Sequence, residues 1–454
     1  MTYDLIVIGG GPGGYTAAER AGRAGLSVLL AEKRALGGVC LNEGCIPSKT
    51  FLHSAKIADY AKNGSAYGVI AEGVKLDHAA VVRRKNRVVK KLVAGLEMKM
   101  KKNNVTVVNG EAVISGRAYD GFRVKVNDTE YTGKRLLIAA GSVPAMPTVP
   151  GLEDSYKKGI AVTNREIFDI ETIPERLVII GGGVIGLEMA SYFNSAGSRV
   201  TVVEMLDHIA GPTDREISGI LLNNFRKKGI DFHLSAKVIE IKGNEVIFES
   251  PEGIQSVSGD KILVSIGRKP DTKGLGLETI GVETDGGRII TDEFLRTNIP
   301  EVYAAGDVNG ISMLAHTAYR EAEAAVNNIL GKRDRMRYFA VPSVIYTNPE
   351  VASVGETTES AQEKGLDVEI IKLPLSYSGR YVAETERGDG IVKILIDKQY
   401  RTIRGLHIIG SYASEIIYGA AVMMETEMRV NDIREIVFPH PTVGEVIREA
   451  MFEA

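Results

Sequence analysis

A glycine run near the start of the chain returns further along it, in the same register and with the same surroundings. The first copy reads Leu5-Ile6-Val7-Ile8, then Gly9-Gly10-Gly11-Pro12-Gly13-Gly14, an alanine-rich helical stretch, and Val28-Leu29-Leu30-Ala31-Glu32. The second reads Leu177-Val178-Ile179-Ile180, then Gly181-Gly182-Gly183-Val184-Ile185-Gly186, another helical stretch, and Val200-Thr201-Val202-Val203-Glu204. In each, a glutamate stands 23 residues after the first glycine, Glu32 after Gly9 and Glu204 after Gly181. Gly9 and Gly181 suit the tight turn, Gly11 and Gly183 the approach of a pyrophosphate, and Gly14 and Gly186 close helix packing. The helix N-terminus offers free N–H groups to phosphate, and the terminal carboxylate can accept ribose hydroxyls. One such fingerprint is also compatible with a plain tight turn; two in register predict two dinucleotide sites. A carboxylate at Glu204 favours a free 2′-hydroxyl over a 2′-phosphate, hence NAD over NADP, with Arg199 and Arg215 nearby as the countervailing charges.

At 454 residues the chain exceeds what one hydrophobic core holds, roughly 250 to 300 residues. After about residue 335 the pattern changes to alternating strands, such as Ile391-Val392-Lys393-Ile394-Leu395-Ile396, followed by helices. The expected class is α/β: two Rossmann-like dinucleotide-binding domains plus a C-terminal α+β domain. A net charge of -3 carries no bias toward nucleic acid or an anionic membrane. No apolar run approaches the roughly 20 residues of a bilayer span, and no basic, cleavable leader precedes the first strand. With only two cysteines, a secreted disulfide scaffold is disfavoured and a cytoplasmic, reducing compartment is expected.

Those two cysteines stand five residues apart in Gly38-Val39-Cys40-Leu41-Asn42-Glu43-Gly44-Cys45-Ile46-Pro47-Ser48-Lys49. A disulfide needs Cα atoms about 4.4 to 6.8 Å apart, whereas five residues of regular helix rise roughly 7.5 Å. Bridging therefore requires a distortion, which Gly44 and Pro47 permit. Lys49 falls four residues after Cys45, on the same helical face, where its ammonium can stabilise a thiolate. The alternatives are inert packing or half a metal site; no other cysteine and no suitably spaced histidine completes a metal set, and none is expected.

Together, Gly9 to Tyr15 and Gly38 to Lys49 resemble the pyridine nucleotide-disulfide oxidoreductase family. The resemblance runs on through Gly181 to Glu188, Gly267-Arg268-Lys269-Pro270, Ala305-Gly306-Asp307, Met313-Leu314-Ala315-His316, Pro342 to Thr347 and His440-Pro441-Thr442-Val443-Gly444-Glu445. It implies FAD contacts from Glu32, Lys49, Ala112, Asp307 and Ala315, with Ala140, Gly141, Ser142, Met313, Leu314 and His316 in the same set. It implies NAD contacts from Glu204, Val238 and Gly267, and a pairing of Glu188 with Lys49 beside the flavin. Expected domains are 1–145 with 270–335 for FAD, 146–269 for NAD, and 336–454 for dimerisation. Where the family often has Ala-Thr-Gly-Ser, this chain has Ala139-Ala140-Gly141-Ser142, which removes a hydroxyl contact. Val184 replaces the gating tyrosine of glutathione reductases, a difference that favours the lipoamide branch.

That branch implies oxidation of protein-bound dihydrolipoamide with NAD, through a redox disulfide between Cys40 and Cys45. Its partners would be a second copy of the chain and a lipoyl-bearing acyltransferase of a 2-oxo acid dehydrogenase complex, or a glycine cleavage carrier protein. His440 would be the base and Glu445 its orienting carboxylate. Spacing alone reads Thr442 to Glu445 differently, as a capping box for the last helix. His53, His78, His208, His233 and His407 have no partner legible in the sequence.

Overall fold

The apolar runs of the two glycine motifs form the middle of two parallel sheets in a computed structural model, which describes residues 2–454. One compact unit takes in the chain up to Thr50, Val82–Ala145 and Gly267–Arg337. Its parallel sheet runs in the order Val302–Ala304, Leu136–Ile138, Leu5–Ile8, Val28–Glu32, Val105–Asn109. Leu5–Ile8 and Val28–Glu32 are buried along their whole length, so both faces need cover, as parallel sheets do. On one side Ile6, Ile8, Leu29, Leu136 and Ile138 share a core with Ile114, Phe122 and Val124 from a second sheet. Among the helices, Pro12–Arg23 is tied to Ala315–Ile329 through Tyr15 Oη and Tyr319 Oη, 2.6 Å apart, and Arg20 to Glu323, 2.8 Å.

The other unit comprises Phe51–Val81, Met146–Ile266 and Tyr338–Ala454. It repeats the arrangement with a parallel sheet ordered Ala161–Val162, Lys261–Val264, Arg176–Ile180, Arg199–Val203, Asp231–His233. A three-stranded antiparallel companion, Lys237–Lys242, Glu245–Ser250 and Gly253–Ser258, shares its core through Val178, Ile180, Val246 and Phe248. The same unit holds a five-stranded sheet with antiparallel pairing, ordered Ser343–Ile345, Glu350–Gly355, Ile403–Gly410, Ile391–Asp397, Val368–Pro374. Its apolar face packs with Ala413–Glu425, Val430–Arg434 and Glu445–Phe452, giving the α+β arrangement expected after residue 335. Among the described residues no helix is long and apolar enough to cross a membrane.

Candidate active site and dinucleotide cradles

Gly9 takes φ +103° and Gly181 φ +102°, backbone positions in which a side chain would be strained. A Cβ on Gly14 would run into the Gly9 carbonyl oxygen, and one on Gly186 into that of Gly181. Gly11 and Gly183 cap the following helices without a side-chain hydrogen bond, and a Cβ on either would meet nothing nearer than 3.9 and 4.0 Å. Free N–H groups facing open space at both helix starts are what a pyrophosphate needs, so the residues present fit dinucleotides.

The duplication extends to side chains. Glu32 Oε2 accepts the Gly10 N–H at 2.7 Å and its Oε1 accepts that of Arg34 at 2.7 Å. Glu204 does the same, Oε2 accepting from Gly182 N–H and Oε1 from Leu206 N–H at 2.7 Å. Each carboxylate is thus fixed beside its glycine turn, with lone pairs left over for a ribose. The two arginines near Glu204 both have acidic partners: Arg199 pairs with Glu175 and Arg215 with Asp207.

The cysteines meet as the sequence requires, through a helix break. Gly38–Glu43 ends at Gly44, and Cys45 opens the helix Cys45–Lys62; the pair is disulfide-bonded with Cα atoms 4.7 Å apart. A side chain on Gly44 would come within 3.1 Å of the Val39 carbonyl, so the break is close-packed and favours glycine. Pro47 lies inside the first turn of the second helix, where a missing N–H costs little, and takes no part in the break. Lys49 follows one turn after Cys45.

Other expected cofactor residues fall on strand ends and helix starts of the first unit. Ala112 opens a strand, Ala140 and Gly141 follow Leu136–Ile138, and Met313 and Leu314 lead into Ala315 and His316 at a helix N-terminus. Arg268 Nε donates to Ser142 Oγ at 2.7 Å, and Ser142 donates onward to Asp307, so Asp307 is held by a chain of donors. Gly306, just before Asp307, donates its N–H to buried Glu321, which sequence reasoning missed; the only signal was an acid in an alanine-rich helical stretch. Gly267 belongs to this unit rather than to the second, its carbonyl accepting the Ala145 N–H at 3.0 Å.

In the second unit, Val238 faces Phe248 across an antiparallel pair. Glu188 is 3% exposed, which rejects the alternative of an ordinary surface glutamate, and its Oε1 accepts the Tyr346 N–H at 3.1 Å. His440 Nδ1 lies 2.7 Å from Glu445 Oε1, while Glu445 Oε2 accepts the Thr442 N–H at 2.8 Å. Glu445 therefore orients the imidazole and fastens the helix start at once. That backbone N–H and the His440 contact hold its carboxyl below the usual range. The full capping box is not made: Gly444 is the cap residue, and the Thr442 hydroxyl donates to Pro439 O. Of the histidines without a legible partner, His78 bonds Tyr192 Oη and Ile170 O, and His208 bonds Asp207 and Gly211 O.

Two dinucleotide cradles and a disulfide at a helix start define a flavin- and pyridine-nucleotide-dependent disulfide oxidoreductase. The chain belongs to the pyridine nucleotide-disulphide oxidoreductase family, which matches residues 3–322, with that family's dimerisation domain at residues 341–451. It is 39% identical over 458 residues to a dihydrolipoyl dehydrogenase of Mycoplasma genitalium, covering 100% of this chain and 99% of the relative. It is 40% identical to the mitochondrial dihydrolipoyl dehydrogenase of Pisum sativum, covering 98% and 90%. The structure of LpdA from Mycobacterium tuberculosis superposes with a TM-score of 0.89 at 26% identity, covering 100% and 99%. The cofactors of the present chain are FAD and NAD.

Proposed function

We propose that the chain is a dihydrolipoyl dehydrogenase, oxidising the dihydrolipoyl group of a carrier protein with NAD as acceptor. The Cys40–Cys45 disulfide on a double dinucleotide fold is the observation that carries this reading. His440 Nε2 takes a proton from one substrate thiol, its Nδ1–H being directed at Glu445. The substrate thiolate attacks Cys40 Sγ, forming a mixed disulfide and releasing Cys45 as thiolate. Attack by the second substrate thiolate frees Cys40 and leaves a lipoyl disulfide, so the enzyme has gained two electrons. Cys45 suits the flavin-side role because it begins a long helix, whose positive end stabilises a thiolate. Bound FAD supplies the two-electron relay from the dithiol to NAD.

The active form is a homodimer in which His440 of one protomer completes its partner's site. The match of residues 341–451 to a dimerisation domain supports this, as do Val437, 92% exposed, and exposed Tyr418 in that stretch. FAD is bound by 1–145 with 270–335 and NAD by 146–269, leaving 336–454 as the interface; Lys49 and Glu188 pair beside the flavin. The carrier is the lipoyl-bearing acyltransferase of a 2-oxo acid dehydrogenase complex or the glycine cleavage carrier, in the cytoplasm. Anaerobic holoenzyme given dihydrolipoamide and NAD should form one NADH per dithiol oxidised, with glutathione disulfide and NADPH poorly used. Efficient reduction of another small disulfide by NADH, without dihydrolipoamide turnover, would overturn the reading.

A further inference from the structure

Within the second unit lies an ion pair that none of this chemistry uses. Asp214 is 0% exposed and the Lys393 side chain 7%. Lys393 Nζ lies 2.9 Å from each Asp214 oxygen and 3.3 Å from Glu216 Oε2, and Glu216 in turn pairs with Lys372 at 2.7 Å. Asp214 also caps the helix Arg215–Lys227 through the Glu216 N–H, and accepts the Thr358 N–H at 3.2 Å and hydroxyl at 2.8 Å. His407 sits opposite Lys393 in the antiparallel ladder, fully buried, with Nε2 on Glu356 O at 2.8 Å. Burial lowers the His407 pKa, against the raising effect of its bond to Glu356 O.

A buried ion pair is a poor source of stability, because desolvation offsets most of its attraction; what it fixes well is geometry. The geometry at stake follows from chain position. Asp214 closes the loop that begins at Glu204, the carboxylate of the second dinucleotide cradle. Along that loop Ser235 N–H donates to Leu206 O and Ala210 N–H to Gly182 O, both at 2.8 Å, and Arg215 pairs with Asp207 at 2.8 Å. One end of the loop is thus held by the glycine turn. The other is held by Lys393 and Thr358, which belong to the dimerisation domain.

We infer that Asp214, Lys393 and Thr358 form a clamp that positions the NAD-binding loop from the dimerisation domain, making Lys393 a positioning residue for NAD. The inference rests on the reading of Glu204 as the NAD ribose ligand. A loop fixed in advance does not have to be ordered on binding, so affinity rises without any contact between the clamp and NAD. Removing Lys393 leaves Asp214 charged and buried without its partner, and the loop end must shift to hydrate it.

The test is calorimetric titration of NAD into the oxidised holoenzyme, where no turnover occurs, beside anaerobic reduction by dihydrolipoamide followed through the flavin spectrum. Lys393→Met should raise the Kd for NAD at least tenfold and change the dihydrolipoamide-driven step less than twofold, whereas Lys393→Arg should recover most of the affinity. Thr358→Val removes one donor and keeps the ion pair; about a threefold rise is expected, and it serves if Lys393→Met does not fold. A purely structural pair would lower Tm in these variants and leave the Kd for NAD within twofold, which would overturn the inference. Lack of dihydrolipoamide oxidation by the unmutated protein would instead overturn the proposed activity, and the NAD titration would stand by itself.

Discussion

Glu445→Gln separates the two tasks of one carboxylate. Glutamate supplies an oxygen to His440 Nδ1 at 2.7 Å and another to the Thr442 N–H at 2.8 Å; glutamine has the same shape but only one oxygen. If that oxygen faces His440, an NH₂ group meets the Thr442 N–H donor and the helix start loosens, at about 0.5 to 2 kcal/mol. If it faces Thr442, the NH₂ group forces Nδ1 to accept, the proton moves to Nε2, and the base is lost. In the first arrangement a hydrogen bond to a charged group, about 1.5 to 3 kcal/mol, becomes a neutral one of about 0.5 to 1.5. The difference, about 1.0 to 1.5 kcal/mol, is about five- to thirteenfold in rate. His440 is 78% exposed in the single chain, so water screens the pair and the smaller end of the range applies there. The second arrangement costs the whole contribution of a general base, about 10² to 10⁴. The assay is kcat/KM for dihydrolipoamide at neutral pH, with electron transfer from NADH to ferricyanide as a control that needs no base. A fall of about fivefold or more in the first with the second retained is expected. A variant with kcat/KM within twofold and unchanged Tm would refute the reasoning.

Three further outcomes follow from the same geometry. Glu204→Gln should narrow the preference for NAD over NADP by removing charge repulsion toward a 2′-phosphate, measured as the ratio of kcat/KM values; equal use of both by the unmutated enzyme would contradict the role of Glu204. Limiting alkylating agent on the reduced enzyme should label Cys40 before Cys45, read by peptide mass; the reverse order would exchange their roles. Burial raises the Asp214 carboxyl pKa, but Lys393 and Thr358 outweigh it and bring it to about 2 from 3.8. A depressed folded pKa adds stability above the unfolded value that is lost as pH falls, so about 2 kcal/mol should vanish between roughly pH 4 and 2. Denaturant midpoints across that window should fall less steeply in Asp214→Asn, and parallel slopes would show that the pair is not linked to folding.

Local chemistry made much of this protein legible in its sequence. The turns at Gly9 and Gly181 need backbone angles that side chains resist, and Glu32 and Glu204 reach back to them from the ends of the next strands, so spacing along one βαβ unit suffices. Cys40 and Cys45, and His440 and Glu445, are five residues apart, close enough for a helix break or a helix start to bring them together. The Thr442 to Glu445 spacing suits a capping box, but spacing says which partners are within reach, not which one a hydroxyl takes, and the Thr442 hydroxyl takes Pro439 O. Other partnerships span distances at which periodicity is silent: Ser142 with Asp307, Glu188 with the Tyr346 N–H, Asp214 with Lys393. Each of these joins segments that only the packing of sheets and helices makes neighbours. A buried carboxylate is tolerable only where such packing delivers donors to it, so what Glu188, Glu321 and Asp214 do was decided by the tertiary structure.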